Sequence, residues 1–249
     1  MNQVTSDHRP CALIPVYNHE GPLPGVVASL LAAGLPCVLV DDASGPTCAA
    51  VIDRLAGETN TYLLRLPENQ GKGGAVMAGL REAKRLGFSH ALQVDADGQH
   101  DLQAVERFLG ESRVHPEAIV CGYPQYDASV PKGRLYARYL THVWVWINSL
   151  SLQIRDSMCG FRVYPLAASV ALIDSANLGK RMDFDSEILV RLSWRQQPMR
   201  WLPTRVHYPA DGVSHFRLWQ DNVLISKMHA RLFFGMLCRA PWLLYRRWR

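Results

Sequence analysis

The chain lacks features that mark several common classes of protein. None of its six cysteines forms a Cys-x-x-Cys pair, and several lie in apolar runs, where a thiol behaves as a small hydrophobic side chain. This usage favours a reducing cytoplasm over a disulfide framework. No stretch approaches the roughly 20 apolar residues of a membrane-spanning helix, and no apolar segment typical of a signal peptide follows the start.

Two common phosphate-binding motifs are also missing. Lys72 is followed by Gly73 rather than by serine or threonine, and the upstream glycine of a Walker loop is absent. No Gly-x-Gly-x-x-Gly follows the first predicted strand, which argues against a dinucleotide-binding domain. The chain has no internal repeat, no low-complexity tract and no recognised nucleic-acid motif, so we expect no nucleic-acid partner.

What the sequence does contain is the alternating pattern of an α/β protein. Its 249 residues, 48% of them hydrophobic, suffice for one large domain with a buried core. Apolar runs typical of buried strands alternate with helical patterns, which predicts a mainly parallel sheet with helices on both faces. The five predicted strands are 11–17, 38–40, 62–66, 91–94 and 118–121.

Polar clusters follow four of the five predicted strands. They are residues 17–18, 41–42, 69–72 and 95–99. Open parallel sheets bind ligands in the crevice beyond the carboxyl ends of their strands. We therefore expect the four clusters to line one ligand cleft.

The cluster after the fourth strand contains two acids. If the strand continues through Asp95 and Asp97, their side chains point to the same face. Two carboxylates so close repel each other unless a cation such as Mg²⁺ or Mn²⁺ binds between them. Gln99 adds a neutral oxygen. The alternative is a solvated polar turn, and the Asp-x-Asp pattern alone does not decide between them.

The glycine-rich stretch 69–74 also has two interpretations. It is either a helix entrance with flexible glycines or a loop whose amides and Lys72 lie near the negative charge of a nucleotide.

Five motifs, in order along the chain, resemble glycosyltransferase family 2, the GT-A-fold enzymes. Within that family the resemblance is to the branch of dolichyl-phosphate mannose synthase and the bacterial polyprenyl-phosphate glycosyltransferases. The motifs are Ile14-Pro15-Val16-Tyr17-Asn18, Val40-Asp41-Asp42-Ala43-Ser44, Asn69-Gln70-Gly71-Lys72-Gly73, Asp95-Ala96-Asp97-Gly98-Gln99-His100 and Asp156-Ser157-Met158-Cys159-Gly160-Phe161-Arg162.

The resemblance implies an inverting, metal-dependent transfer of a sugar from a nucleotide-sugar to a lipid-linked acceptor such as a polyprenyl phosphate, with Mg²⁺ or Mn²⁺ as cofactor. Asp97 and Gln99 would coordinate the metal on the diphosphate, and Asp95 would bind ribose or metal. The candidate nucleotide-binding residues are Pro15, Tyr17, Asp41, Asp95 and Ala96, together with Lys72 of the glycine-rich loop. His19 stands where the family carries an acid, and Glu20 is the candidate to replace that acid.

The sequence departs from the mannose synthases where they carry phosphate-binding cations. Gly122-Tyr123-Pro124 stands in place of an arginine after the fifth strand, and His215 stands in place of a lysine. Other cations must then neutralise the phosphates. The candidates are Lys132, Arg134, Arg138, Arg205, His215 and Arg217.

Asp156 is the candidate general base, because a hydroxyl acceptor would need one whereas a lipid phosphate would not. Its alternative is a structural carboxylate that pairs with Arg162 or caps a turn. Among the acids that open the following helical pattern, we expect Asp183 or Asp185 to favour the helix N-terminus. Glu187 is a weaker site candidate.

Residues 218–249 combine aromatic and apolar side chains with arginines, and we predict them to be an amphipathic segment after a GT-A domain at 1–217. Pro241 is expected to break or kink the helix. Such a segment suits the membrane interface, which predicts a peripheral protein on the inner face of the cell membrane. The alternative is a helix packed on the domain or on a membrane partner; the sequence does not identify such a partner, for example an acyltransferase.

Two other functions stay open. One is transfer to a hydroxyl of a lipid or polyketide-like acceptor, with Asp156 as base. The other is a nucleotide-sugar-binding subunit without turnover of its own. A nucleotidyltransferase fits the ordered motifs poorly.

Overall fold

The structure is a computed structural model that describes residues 8–125, 132–205 and 218–246; at 132–137 and 218 it describes the backbone alone. Its elements in chain order are β1 Pro10–Val16, α1 Leu23–Ala32, β2 Cys37–Asp41, α2 Pro46–Ala56, β3 Thr61–Arg65, α3 Lys72–Arg85, β4 His90–Gln93, α4 Val105–Val114, β5 Ile119–Gln125, α5 Lys132–Ser149, β6 Arg162–Pro165, α6 Leu166–Ser175, α7 Phe184–Trp194, β7 Met199–Arg205 and α8 Leu218–Tyr245.

The strands form one seven-stranded sheet in the order β3-β2-β1-β4-β6-β5-β7. All neighbours are parallel except β6, which runs antiparallel to both β4 and β5. The predicted mainly parallel α/β sheet is therefore confirmed. The sequence patterns missed β6 and β7, since β6 has only four residues and β7 contains Pro203. Proline is tolerated in β7 because that strand lies at the edge of the sheet.

Both faces of the sheet are buried, as the near-continuous apolar strands predict. Leu13 and Val40 face the core on the α3 side, and Ile14 and Leu39 face the core on the other side. The helix α3 lies unusually close to the sheet, because a Cβ at Gly79 would come within 2.2 Å of Leu13 Cδ1. This close approach fixes the start of α3, and with it Lys72, at the carboxyl edge of the strands.

The order of the strands reverses between β1 and β4. The chain runs from β1 outward to β2 and β3 and then returns to place β4 on the other side of β1. In open α/β sheets this reversal point is where the crevice for a ligand opens. The polar clusters after β1, β2, β3 and β4 all lie at that edge, as expected from the sequence.

The C-terminal helix α8 is packed against the domain along part of its length. Met228, Leu232, Met236 and Leu243 are buried in the core. The helix is continuous through Pro241, so the expected break does not occur, and the alternative of a kink stays a prediction. Proline costs the helix one hydrogen bond there, and its ring is exposed. The division of the chain at residue 217 stays a prediction.

The arginines of α8 do not all extend into solvent. Arg231 forms a 2.6 Å ion pair with the buried carboxylate of Glu187. Arg239 lies 4.8 Å from the ring centre of Trp194, and Arg246 donates hydrogen bonds to the last carbonyls of α7. These three side chains therefore fasten α8 to α7, and Glu187 is a structural residue of that contact rather than a member of the cleft.

Within the described part of the chain, we find no helix whose length and hydropathy would let it span a membrane.

Candidate functional site

The loop between β3 and α3 is held in place by the end of β2. Asp42 accepts the backbone N–H groups of Gln70 at 2.6 Å and Gly71 at 2.9 Å. Gly71 has a positive φ of 82°, a conformation that favours glycine, and a Cβ there would lie 2.8 Å from the carbonyl oxygen of Lys180. Burial raises the pKa of Asp42 against the effect of these hydrogen bonds. The loop is therefore a rigid helix entrance that aims Lys72 along the sheet edge.

Lys72 is the cation at the centre of the site. Its Nζ lies 2.8 Å from Asp95 Oδ2 and 3.3 Å from Asp185 Oδ2. Burial opposes the charge of Lys72, but the two carboxylates outweigh it and raise the pKa of the amine. Burial likewise opposes ionisation of Asp95, and the charge of Lys72 overcomes it and holds the pKa of Asp95 at about 2. Lys72 and Asp95 are therefore both charged at neutral pH.

Asp185 is a site residue that the sequence patterns missed. It lies in the first turn of α7, where an acid is ordinarily explained by the helix N-terminus. Its side chain instead reaches Lys72, and the guanidinium of the fully buried Arg162 lies 4.0 Å away. Asp183 is at the N-cap but makes no side-chain cap hydrogen bond. Arg162 pairs with Asp185, and not with Asp156 as in one of the alternatives open for Asp156.

The Asp95–Asp97 segment is a turn, and not the end of a strand. β4 stops at Gln93, two residues before Asp95, so strand alternation does not place the two acids on one face. Asp97 Oδ1 instead accepts the N–H of Gln99 at 3.0 Å. Gly98 has a φ of 73°, which lets the chain reverse and keeps Asp97 and Gln99 adjacent at the edge of the cleft.

His100 closes the motif behind Asp95. Its Nδ1 accepts the backbone N–H of Asp95 at 3.2 Å, which leaves the proton of a neutral ring on Nε2, 3.7 Å from Asp95 Oδ2. Burial lowers the pKa of His100 although Asp95 opposes the shift. The neutral ring of His100 therefore positions Asp95 by accepting its backbone N–H.

The residues implied to contact the nucleotide follow β1 and β2 at the same edge. Tyr17 is partly exposed, and Glu20 Oε2 is buried without a hydrogen-bond partner among the described residues. Asp41 is buried; its two oxygens bind Ser44 N–H at 2.8 Å and Arg65 Nε at 2.8 Å. Pro15 lies in β1, and Ala96 is buried in the turn after Asp95.

Asp156 is buried, and both of its oxygens are engaged. Oδ1 accepts the N–H groups of Met158 at 2.9 Å and Cys159 at 2.7 Å. Oδ2 forms an ion pair with Arg138 of α5. The turn-capping role is thus observed, and the cationic partner is Arg138 instead of Arg162.

The family model for glycosyl transferase family 2 matches residues 11–168 of this chain. That is more than half of its length. The chain belongs to glycosyl transferase family 2. The family suggested by the five sequence motifs is therefore confirmed.

This family 2 member has relatives that act on lipid phosphates according to their names. It is 26% identical over 201 residues to the dolichyl-phosphate beta-glucosyltransferase of Dictyostelium discoideum, covering 71% of this chain and 60% of that protein. It is 28% identical over 190 residues to the undecaprenyl-phosphate mannosyltransferase of Micrococcus luteus, covering 70% of this chain and 75% of that protein. The chain thus spans less than two thirds of the length of the first of these relatives.

A solved structure shares the fold of the family 2 chain. The glucosyl-3-phosphoglycerate synthase of Mycobacterium tuberculosis, crystallised with Mn²⁺ and UDP-glucose, superimposes with a TM-score of 0.65. The superposition covers 94% of this chain and 80% of the synthase at 12% identity. The similarity supports the GT-A fold and, at this identity, the fold alone.

The cleft of this family 2 chain has oxygen ligands that fit a divalent cation. The described residues contain no group of three or more His, Cys, Asp or Glu side chains that could enclose a metal. Mg²⁺, however, is usually held by one or two carboxylates plus substrate phosphates. Asp95 Oδ1 is buried without a partner among the described residues, so it is an available oxygen ligand, with Asp97 and Gln99 beside it in the turn.

The remaining cationic candidates are only partly placed. Arg205 is exposed at the end of β7, on the carboxyl edge of the sheet. For Lys132 and Arg134 only the backbone at the start of α5 is described, and His215 and Arg217 lie outside the described residues. β5 extends to Gln125, so residues 122–124 belong to the strand and not, as predicted, to the segment after it.

Proposed function

We propose that this family 2 chain is a glycosyltransferase that moves a sugar from a nucleotide-sugar to a polyprenyl-phosphate-like lipid, with inversion and with Mg²⁺ or Mn²⁺. The observation that carries the proposal is the convergence of four strand-end loops on Lys72, Asp95 and Asp97 at the reversal point of the sheet. The names of the relatives support the lipid-phosphate acceptor.

In the proposed reaction, different residues of the chain bind the metal, the nucleoside and the acceptor. Asp95 and Asp97 hold the metal, which neutralises the charge that develops on the leaving diphosphate. The Oε2 of Glu20, which has no partner among the described residues, and Tyr17 would contact the nucleoside. A lipid phosphate is already anionic and needs no general base, so the acceptor side needs a cation, and Arg138, held by Asp156, supplies it.

The proposal is tested with the purified chain, polyprenyl phosphate and a panel of radiolabelled nucleotide-sugars. We expect organic-extractable label that depends on the lipid and disappears with EDTA, together with a thermal shift for the same donor in Mn²⁺. A thermal shift without transfer to any lipid acceptor would support a binding subunit instead and contradict the enzymatic proposal.

We also propose that the protein binds the inner face of the cell membrane through an α5–α8 apolar surface, which we define as Leu140, Val143, Trp144 and Ile147 of α5 with Phe233, Phe234 and Leu237 of α8. Trp144 and Phe233 lie 6.3 Å apart between ring centres and join the two helices. Leu140 and Phe234 are 64% and 66% exposed. Exposed apolar patches of this kind mark interaction sites.

Charge favours an anionic lipid surface as the partner of this patch. Residues 138–149 and 222–246 contain no Asp or Glu. The exposed Lys227 lies two turns before Phe234, on the same side of α8. Because Arg231, Arg239 and Arg246 contact α7, the apolar side chains carry more of the proposed binding than the arginines do.

Replacing both Leu140 and Phe234 with serine is expected to weaken binding to vesicles of phosphatidylcholine and phosphatidylglycerol by about tenfold, since two large apolar side chains no longer enter the interface. Co-sedimentation measures the change. Val114→Ser, at an equally exposed apolar position on α4, is the matched control. Unchanged vesicle binding with loss of a dimer in solution would assign the surface to a second copy of the chain and contradict the membrane proposal.

A further inference from the structure

Two carboxylates from distant parts of the chain share one amine in the cleft. Asp95 follows β4 and Asp185 begins α7, yet Lys72 Nζ is within 3.3 Å of an oxygen of each. The helix N-terminus does not explain the direction of the Asp185 side chain, because its Oδ2 faces Lys72. The amine thus lies against the same carboxylate that a divalent cation would use.

The space behind the amine is closed. A Cβ at Gly160 would lie 2.8 Å from Gln93 Nε2, 3.0 Å from Lys72 Nζ and 3.3 Å from Asp95 Oδ2. These three polar atoms therefore crowd one point against the backbone of residue 160. The backbone of residue 160 therefore limits the movement of the Lys72 amine on that side.

Asp95 keeps one buried oxygen in reserve. Its Oδ1 has no hydrogen-bond partner among the described residues, whereas Asp185 Oδ1 faces the guanidinium of the buried Arg162 at 4.0 Å. Buried polar atoms in native proteins are nearly always satisfied, and leaving a charged one unpaired is costly. The free oxygen of Asp95 therefore indicates a cluster that is completed by a ligand with positive charge or hydrogen-bond donors.

We propose that Lys72 and the divalent cation compete for Asp95, and that Asp185 is a positioning residue that draws Lys72 away so that the metal can bind. This inference rests on the proposed function in one respect, namely that a divalent metal is the cofactor. With the metal on Asp95, Lys72 stays on Asp185 as a second positive charge at the diphosphate. That charge replaces the arginine which the sequence lacks after β5.

Two substitutions should change metal affinity in opposite directions. Lys72→Met removes the amine that competes with the metal for Asp95. In the absence of nucleotide, Mn²⁺ is therefore expected to bind about tenfold more tightly. In Asp185→Asn, Lys72 keeps only Asp95 as a charged partner and binds it more strongly, so Mn²⁺ is expected to bind about tenfold more weakly. Electron paramagnetic resonance of free Mn²⁺ measures both in the full chain, and turnover is not needed.

A merely structural role for the cluster would weaken Mn²⁺ binding in both variants. That result, or the absence of Mn²⁺ binding to the unaltered protein, overturns the proposal. Lys72→Arg keeps the positive charge and is therefore expected not to tighten Mn²⁺ binding. This variant serves as a second test if Lys72→Met lowers the thermal stability of the protein. Arg81→Met, which breaks the exposed 2.8 Å pair with Asp174, is the matched control. Opposite shifts without any glycosyl transfer would support this proposal while contradicting the proposed function.

Discussion

Replacing Asp97 with asparagine is expected to reduce glycosyl transfer on the order of a thousandfold, while the thermal stability of the protein stays the same. Asp95 is paired with Lys72 at 2.8 Å, whereas Asp97 forms no ion pair within the described residues. Asp97 is therefore the carboxylate for which no described cation competes with a metal on the diphosphate. Initial rates at saturating donor and Mn²⁺ measure the effect.

Asparagine is the informative replacement because it preserves the turn. Its side-chain oxygen can still accept the N–H of Gln99, as Asp97 Oδ1 does at 3.0 Å. Asp101 gives a matched control, since its Oδ1 accepts the N–H of Gln103 at 3.1 Å in the same way. Asp101→Asn should leave transfer unchanged. A rate near that of the unaltered protein in Asp97→Asn would remove Asp97 from the metal site.

The position of the cleft could be predicted from the sequence because it follows from local signals. Each of the first four strands is an apolar run that stops at polar residues, and parallel strands bring those stops to one edge. β6 and β7 gave no such signal. β6 is too short for a pattern and carries the buried Arg162, and β7 is interrupted by Pro203.

The partners within the site could not be predicted, because they depend on tertiary contacts. The sequence pattern predicts a helix N-terminal role for Asp185, and only the packing of α7 against α3 brings its carboxylate to 3.3 Å from Lys72. The sequence pattern does not distinguish the turn at Asp97 from a continuation of the strand, because hydrophobic periodicity does not show where a strand ends. The sequence predicts that the arginines of α8 are solvated. The ion pair between Arg231 and Glu187 forms only because α8 packs on α7.

The contacts of Asp156 bear on the identity of the acceptor. A general base must have a lone pair directed at the proton that it removes. Oδ1 of Asp156 already accepts two backbone N–H groups, and Oδ2 is held by Arg138. This arrangement suits a carboxylate that orients a guanidinium. An oriented guanidinium suits a phosphate, which it can bind through two parallel hydrogen bonds.

Replacing Arg138 with methionine is accordingly expected to lower kcat/KM for polyprenyl phosphate about a hundredfold, the loss of roughly 2–3 kcal/mol of charged hydrogen bonds, with the KM for the donor unchanged. Steady-state kinetics with varied lipid measure this. Arg200→Met is the matched control, since Arg200 forms a 2.7 Å pair with Glu111 at the opposite end of β7.

Asp156→Asn then separates the two acceptor chemistries. If Asp156 orients Arg138, the amide keeps the turn through its oxygen and weakens only the ion pair, so the loss should be about tenfold and fall on the lipid KM. If Asp156 is a base for a hydroxyl acceptor, kcat should fall by about a thousandfold and its dependence on rising pH should disappear. A large Arg138→Met effect with a small Asp156→Asn effect requires an acceptor that arrives already ionised. Collapse in Asp156→Asn alone requires one that must be deprotonated in the cleft.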